Sequence, residues 1–349
     1  MFGRSVSMNV KVIAAFSSDF REQYKADIFK VLSLPKGDVI HFRYKKKYVE
    51  QCISQQRQSI EGSDVFIFYT HGNKNLEQSD SKKLTHTSVR KAKILAFDWS
   101  ETTELYHVRM ELDDFIDAEI CDEQESPLFF KYVTCSVREP SASWVSRIEV
   151  MKNYYDDMIF FYVEGIFDSQ GNRIKAKYNH QSKGCFYDVY HGDRYTLSIK
   201  LANPKESKKK LFLTCSPDDV VISHCNPIES SVNYDDIYVP LNIKTVPFFK
   251  HSNFLSYKVI DSDSGKVNNE NLKKNNDDFD LYTVSQELIL RLNLKMAGGF
   301  GFLCALVFIA TMYAGDKSTT IVWPYFKMGL SAILIFFATA GLFYFFNKK

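Results

Sequence analysis

Hydrophobic and polar positions follow three different rhythms along the 349 residues. The first is alternation with interruptions. Residues 9–15 alternate and are rich in Val and Ile, which predicts a strand. Residues 39–44, 65–69, 92–97 and 105–112 predict four more, separated by clusters of Gly, Asp, Ser and Thr. Between the first two, Phe20, Tyr24, Ile28 and Val31 recur at helical spacing, so a short helix is expected there, capped by Ser17 or Ser18 and ended before Pro35. Pro35-Lys36-Gly37-Asp38 reads as a turn. Short strands with one helix must close or be covered to hide their edges. Residues 1–150 are therefore expected to form a mostly-β sensor or ligand-binding domain, shaped as a barrel or a strongly curled sheet.

From about residue 157 the helical spacing disappears. Strands are predicted at 158–163, 185–190, 195–201, 210–214, 220–224, 237–241, 254–260 and 281–284, with turn signals such as Asp168-Ser-Gln-Gly and His191-Gly-Asp between them. This is the pattern of an all-β sandwich, immunoglobulin-like in architecture, over residues 151–295. Residues 261–278 are polar and almost without apolar side chains, so they should form a mobile loop. Residues 287–295 return to strict alternation. Leu288, Leu290, Leu292 and Leu294 fall on one face, and Arg291, Asn293 and Lys295 on the other.

The third rhythm is unbroken hydrophobicity. Residues 296–315 and 328–346 contain no Asp, Glu, Lys, Arg or His. At about 1.5 Å per residue each covers roughly 30 Å as a helix, with every backbone polar group bonded internally. Residues 296–346 thus predict a two-helix transmembrane hairpin, folded back through the polar link 316–327. No Gly- or Ser-rich tether separates it from the strand at 287–295. That junction reads either as a stiff mechanical link or as one more short connection.

Charge refines the membrane reading. The net charge of +2 conceals a split, because residues 291–349 hold six Lys or Arg and one Asp, a net +5, leaving −3 for the rest. A protein that coats long nucleic acids would show a domain-wide positive excess, so any nucleotide site must be a local patch. Arg291 and Lys295 precede the first apolar run and Lys348 and Lys349 follow the second, against Lys317, Lys327 and Asp316 in the link. This bias places both termini in the cytoplasm. Residues 12–16 are too short for a secretory core, there is no N-x-Ser/Thr sequon, and the seven scattered cysteines read as free thiols in a reducing compartment.

Enzymatic signatures are missing: no G-x-S-x-G elbow, Walker lysine loop, H-E-x-x-H or C-x-x-C occurs. No catalytic residue, cofactor or metal is expected. The densest constellation is His41-Phe-Arg-Tyr-Lys-Lys-Lys-Tyr48. On a strand, His41, Arg43 and Lys45 point one way and Phe42 and Tyr44 the other, with Lys46, Lys47 and Tyr48 at the strand's end. Cations beside rings can hold phosphates and a base, as in nucleotide or single-strand recognition. A core aromatic pair with a solvated basic edge explains the same residues. Arg90, Lys91 and Lys93 form a second cluster, and the ligand reading gains if the two meet on one face. Residues 111–125 carry eight carboxylates and no basic residue, which reads as a solvated rim loop or a repulsive lip, and Lys208-Lys-Lys210 as a hairpin tip.

Within the apolar runs, Gly301 with Ala305, Thr311 with Gly315, and Ala338 with Gly341 offer small faces for helix contact. Two helices cannot enclose water, so a pore requires an oligomer. Its gate would be hydrophobic or edged by hydroxyls such as Thr311, Ser331 and Thr339. Plain anchoring in the bilayer is the alternative.

Taken as a domain order, resting on residues 35–49 and 296–346, the chain resembles membrane effectors of bacterial anti-phage systems, most of all the transmembrane component of Hailong-type systems. The resemblance implies an ion channel or pore of the inner membrane, controlled by a nucleotide or oligonucleotide from a partner nucleotidyltransferase. A homo-oligomer, in particular a tetramer, is the implied assembly. The rival reading is a membrane-anchored scaffold that recruits a cytosolic partner and conducts nothing. Protease added outside spheroplasts should leave residues 1–290 intact; their digestion would overturn the topology.

Overall fold

A computed structural model describes residues 7–18, 22–71, 84–121, 128–138, 142–155, 158–217, 219–224, 227–228, 234–244, 251–260 and 284–293. The expectations for 261–278, for 296–346 and for Gly301, Ala305, Thr311, Gly315, Ser331 and Thr339 lie outside these residues. Among the described residues no helix is long and apolar enough to cross a membrane. The described fold is mostly β, with seventeen strands in three sheets.

The first lobe is one seven-stranded sheet. Its strands are β1 (Ser7–Ser18), β2 (Val39–Lys45), β3 (Asp64–His71), β4 (Thr85–Ser100), β5 (Leu105–Phe115), β6 (Ala118–Ile120) and β7 (Phe130–Arg138), in the spatial order β2-β5-β4-β3-β1-β7-β6. Only β1 and β3 run parallel within it. The sheet curls strongly but is not the closed barrel that the strand pattern allowed. An isolated bridge, Val49 to Phe130, and the Glu50 N–H to Phe130 O bond of 2.9 Å bring the chain after β2 back to β7 without a full ladder. The strands β1 and β3 are covered on both faces, the second by Ile116 and Ala118 of the chain around β6. Ile13, Ala15, Val65 and Ile67 enter the main core, while Ala14, Phe16, Phe66 and Phe68 enter a smaller second one.

The acidic run is strand rather than rim loop where it is described. Leu112, Phe115, Ile116 and Ala118 are buried at positions between its carboxylates, and Lys36 pairs with Asp113 at 2.6 Å and Asp114 at 2.7 Å. The strand β7 and a helix at Trp144–Met151 have no counterpart in the expected elements. Ser143 caps that helix through its side chain, accepting from the Ser146 N–H at 3.1 Å.

The second lobe holds two five-stranded sheets. One contains β10 (Ala176–Asn179), β11 (Gly184–Tyr190), β17 (Val284–Asn293), β16 (His251–Ile260) and β13 (Lys210–Ser216), in that order. The other runs β14 (Val220–Ile222), β15 (Tyr234–Ile243), β12 (Arg194–Ala202), β8 (Phe160–Asp168), β9 (Arg173–Ile174). Of the alternation expected at 287–295, Leu288, Leu290 and Leu292 are buried and Arg291 is half-buried as its parity suggests, Asn293 is buried against expectation, and Leu294 and Lys295 lie outside the described residues. The Lys208–Lys210 tip departs from its expectation: Lys209 is buried, in a turn fixed by Asn203 bonding both ways with Ser207, at 2.6 and 2.9 Å.

Between the lobes lies the helix α1 (Glu22–Ser33). Ile28, Phe29, Val31 and Leu32 are all buried, so the helix is covered on more than the single face that its spacing suggested. Phe29 meets Phe160 and Phe161 of the second lobe at ring distances of 5.8 Å. Ser17 does not cap it; its hydroxyl donates to the Tyr24 carbonyl at 2.9 Å from within β1. The helix's C-terminal carbonyls need partners, and Arg90 supplies them. Its guanidinium, with no exposed surface, donates to Val31 O at 2.9 Å, to Leu34 O at 2.6 Å and to Asp113 O at 2.6 Å, and lies over the rings of Phe115 and Tyr162 at 4.5 and 5.5 Å. Burial lowers its pKa to about 10, so it remains charged at neutral pH.

Replacing Arg90 by Met or Lys should therefore destabilise the full chain in detergent by about 3 kcal/mol, since three buried carbonyls lose a planar donor that a single ammonium cannot match. Denaturant unfolding of the two variants measures this. A loss within about 0.5 kcal/mol, the range of surface substitutions, would contradict it.

Candidate ligand-binding face

The structure divides the ten candidate ligand residues into three groups. Tyr44 and Arg90 are interior. Tyr44 is buried, gives its hydroxyl to Phe16 O at 3.0 Å and stacks on Phe130 at 5.4 Å. It shares its parity on β2 with Ile40 and Phe42, which points it into the core. Arg90 is spent on backbone carbonyls. Both are corrected from ligand contacts to structural residues.

A second group is exposed or half-buried but separate. Lys46, Lys47 and Tyr48 form a short 3-10 turn after β2, with Lys47 over the Tyr48 ring at 5.0 Å and Tyr48 edge-on to Phe129 at 5.4 Å. Lys91 pairs with Asp64 at 3.5 Å, and Lys93 stands in register with Asp64 and Glu111. These lysines already face carboxylates. The two basic clusters do lie on one sheet, but β5 separates them, and rows away from Arg43.

The third group, His41 and Arg43 with Lys45 beside them, occupies the outward face of β2, and here the sheet adds residues that the local motif does not contain. Antiparallel pairing sets Arg43 opposite His107, which is opposite Asp98, and sets His41 opposite Arg109 in the next row. The imidazoles of His41 and His107 stack at 5.0 Å with planes 19° apart, and Nε2 of His41 meets Nδ1 of His107 at 2.9 Å. The other nitrogen of His107 lies 3.3 Å from the Thr103 hydroxyl. Asp98 receives Arg109 at 2.9 Å and, from the second lobe, Lys183 at 3.2 Å. Lys183 sits in the turn between β10 and β11 with φ of 54°, and Tyr178 on β10 lies within electrostatic reach of Arg109 and Asp98. One face thus carries six nitrogen-bearing side chains, one phenol and one carboxylate, contributed by both lobes.

The electrostatics follow from that crowding. Burial, then the charges of Arg109, His107, Arg43 and Lys183, hold His41 down at about 4. His107 is lowered by burial, then by Arg109 and Arg43, against the pull of Asp98. Both imidazoles are accordingly neutral at pH 7, and one donates to the other. A second acid, Asp27 on α1, is pushed up to about 6 by burial despite Lys30 and Arg43. Among the described residues no three His, Cys, Asp or Glu side chains are placed to hold a metal ion, so the imidazole pair stands as a hydrogen-bonded pair among cations.

The strand that carries Lys183 into the second lobe also reaches its far end. β11 pairs in parallel with β17, from Tyr187 opposite Leu290 to Tyr190 opposite Asn293. Asp188 in the middle of β11 binds Arg291 Nε at 3.0 Å, Asn293 Nδ2 at 2.6 Å and Lys177 Nζ at 2.7 Å, while the Arg291 guanidinium lies 4.0 Å above the Phe186 ring. Burial opposes ionisation of Asp188, but these three donors outweigh it and keep the carboxyl below its ordinary range. Asn293, the last residue of β17, is thereby fixed to β11.

Four of the face's residues, His107, Arg109, Lys183 and Tyr178, escape a local reading. His107 and Arg109 alternate with Tyr106, Val108 and Met110, all buried, which marks them as outward-facing. Nothing local says that β5 lies beside β2. No protein-family model matches the chain, and no curated protein matches it.

Proposed function

We propose that this chain is a ligand-controlled membrane effector. Its apolar runs at 296–315 and 328–346 form, in a homo-oligomer that the resemblance makes a tetramer, a pore or ion channel of the inner membrane. A nucleotide or short oligonucleotide on the basic face of residues 1–150 controls it, in anti-phage defence and with a partner nucleotidyltransferase as the source of ligand. Residues 151–295 act as the intervening immunoglobulin-like sandwich, a reading that the two five-stranded sheets support. No step in this reading is enzymatic.

The observation that carries the proposal is the continuity of β11. Its preceding turn supplies Lys183 to the basic face, and its seven residues run about 20 Å at strand rise to the pairing with Asn293. Asn293 lies three positions before the first apolar run. The turn that supplies Lys183 is thus linked through β11 and its pairing with β17 to Asn293, and a strand in a sheet transmits displacement that a coil absorbs, which supports coupling between the basic face and the apolar runs.

Charge reversal at Arg43 and Lys183, both exposed and one from each lobe, should leave folding within about 0.5 kcal/mol of the parent, as for other surface changes. It should also abolish binding of short oligonucleotides and with it ligand control of membrane depolarisation in cells. An ion-selective current in liposomes that responds to ligand only in the parent chain is the expected result. Retained binding of a cytosolic partner with no current from either protein would replace the channel by the scaffold.

A further inference from the structure

The basic face has an internal charge imbalance. Arg43, Arg109 and Lys183 bring three cations to it, and among the described residues Asp98 serves two of them, at 2.9 and 3.2 Å. Asp27 reaches Arg43 from α1, but burial pushes its pKa up to about 6, so that charge is given up as pH falls through that value. The side chain of Arg109 is only 13% exposed, so its guanidinium is fixed in place rather than swinging in solvent. His41 and His107 lie among these groups as a stacked, hydrogen-bonded pair. Cations packed this closely repel one another and keep both rings neutral. An oxyanion would reverse that, by giving Arg43 a counter-charge and by favouring the protonated form of the ring beside it.

Resting on the reading of this face as the ligand site, we propose that it is a proton-coupled receptor for a doubly charged oxyanion, the terminal phosphate of a nucleotide being the natural form. On binding, the anion takes Arg43 and the imidazole pair as partners and competes with Asp98 for Arg109 and Lys183. One imidazole gains a proton from solvent, so the pair keeps the N–H shared between the rings and carries an N–H on each outer nitrogen, and no bond other than that new N–H is made or broken. Because Lys183 belongs to the second lobe and Asp98 to the first, the exchange also changes the contact between the lobes at the start of β11.

The sign of the pH dependence follows. The free pair binds its proton only in acid, His41 at about 4. The anion-bound form holds it at higher pH, so affinity rises as pH falls toward that value. The groups that face the pair are Arg43 on its own strand β2, Arg109 on β5, Asp98 on β4, Thr103 in the turn between those strands, and Lys183 from the second lobe.

Inorganic sulfate is the probe, because it keeps both charges over the whole range and any pH dependence then belongs to the protein. Titration into the full chain in detergent, read on the ring resonances of His41 and His107, should show affinity rising about tenfold or more from about pH 8 to about pH 5.5. His41→Gln with His107→Gln should still bind but lose that dependence. Asp98→Asn should bind more tightly than the parent, and Lys183→Ala, which leaves β5 untouched, more weakly. Equal affinity at both pH values, a pH dependence that survives loss of both imidazoles, or sulfate without effect on either ring would each overturn the proposal. Conductance is not read, so oligonucleotide-controlled current together with pH-independent sulfate binding would overturn only this inference. Proton-coupled sulfate binding without any ligand-controlled current would uphold it and overturn the channel.

Discussion

Arg90 is the interaction on which the two-lobed arrangement depends. A helix end buried between two β structures leaves its last carbonyls without water, and each orphaned carbonyl costs about 1–3 kcal/mol. The Arg90 guanidinium answers Val31 of α1, Leu34 just past its end and Asp113 of β5 at once, while its flat face lies against Phe115 of the first lobe and Tyr162 of the second. A positive charge at a helix C-terminus also suits the helix dipole. The same residue therefore ends α1, ties it to β4 and β5, and seats β8 against it. With α1 held, Tyr155 can bond Lys25 O at 2.8 Å, Trp144 can bond Leu32 O at 3.1 Å and Arg173 can bond Lys36 O at 2.8 Å, three contacts that cross between helix or turn and the chain after β7. Gly165 contributes by absence, since a Cβ there would lie 2.8 Å from Arg173 Nε and displace that arm.

The junction so formed is tight and polar. Asp38, buried in the turn after α1, is pushed up to about 6 by burial, against the lowering from the Val39 N–H, Cys185 and Arg90. Its folded pKa lies above its ordinary value, so the stability that its protonated form contributes is present in acid and is lost as pH rises through about 6. Gln286 of β17 bonds Ser33 at the end of α1, which places the strand leading to the apolar run in direct contact with the interlobe helix. Strand β17 is thus held at its start by α1 and at its end by Asp188. A strand clamped at both ends moves with its lobe, and the basic face sits where the lobes meet.

Much of this was legible in the alternation of residues, and the rest was not for identifiable reasons. The buried leucines of β17, the outward set on β2 and the β character of both lobes follow from period-2 patterning, which is local. Arg90 could have been placed correctly by the same rule. It shares parity with Ala92 and Ile94, both buried, whereas only charge relates it to Lys91 and Lys93. Residues 111–125 hid a strand because charge density outweighed the apolar residues spaced through it. The assembly of the candidate face was beyond local reading. His41 and His107 are 66 positions apart, and Lys183 and Asp98 are 85 apart, so only the strand order β2-β5-β4 and the interlobe contact bring them together. The free thiols expected throughout are seen at each of the five cysteines described, Cys52, Cys121, Cys135, Cys185 and Cys215.

On the proposed reading, the basic face acts on the apolar runs through β11 and β17. Inserting a flexible Gly-Ser segment after Leu294, before Met296, tests it most directly, because a coil several residues long transmits little displacement. Ligand-dependent conductance of the variant would be measured in liposomes with oligonucleotide binding measured in parallel. The account predicts unchanged binding and membrane insertion with ligand control of the current lost. Ligand-controlled current that survives the insertion would contradict it.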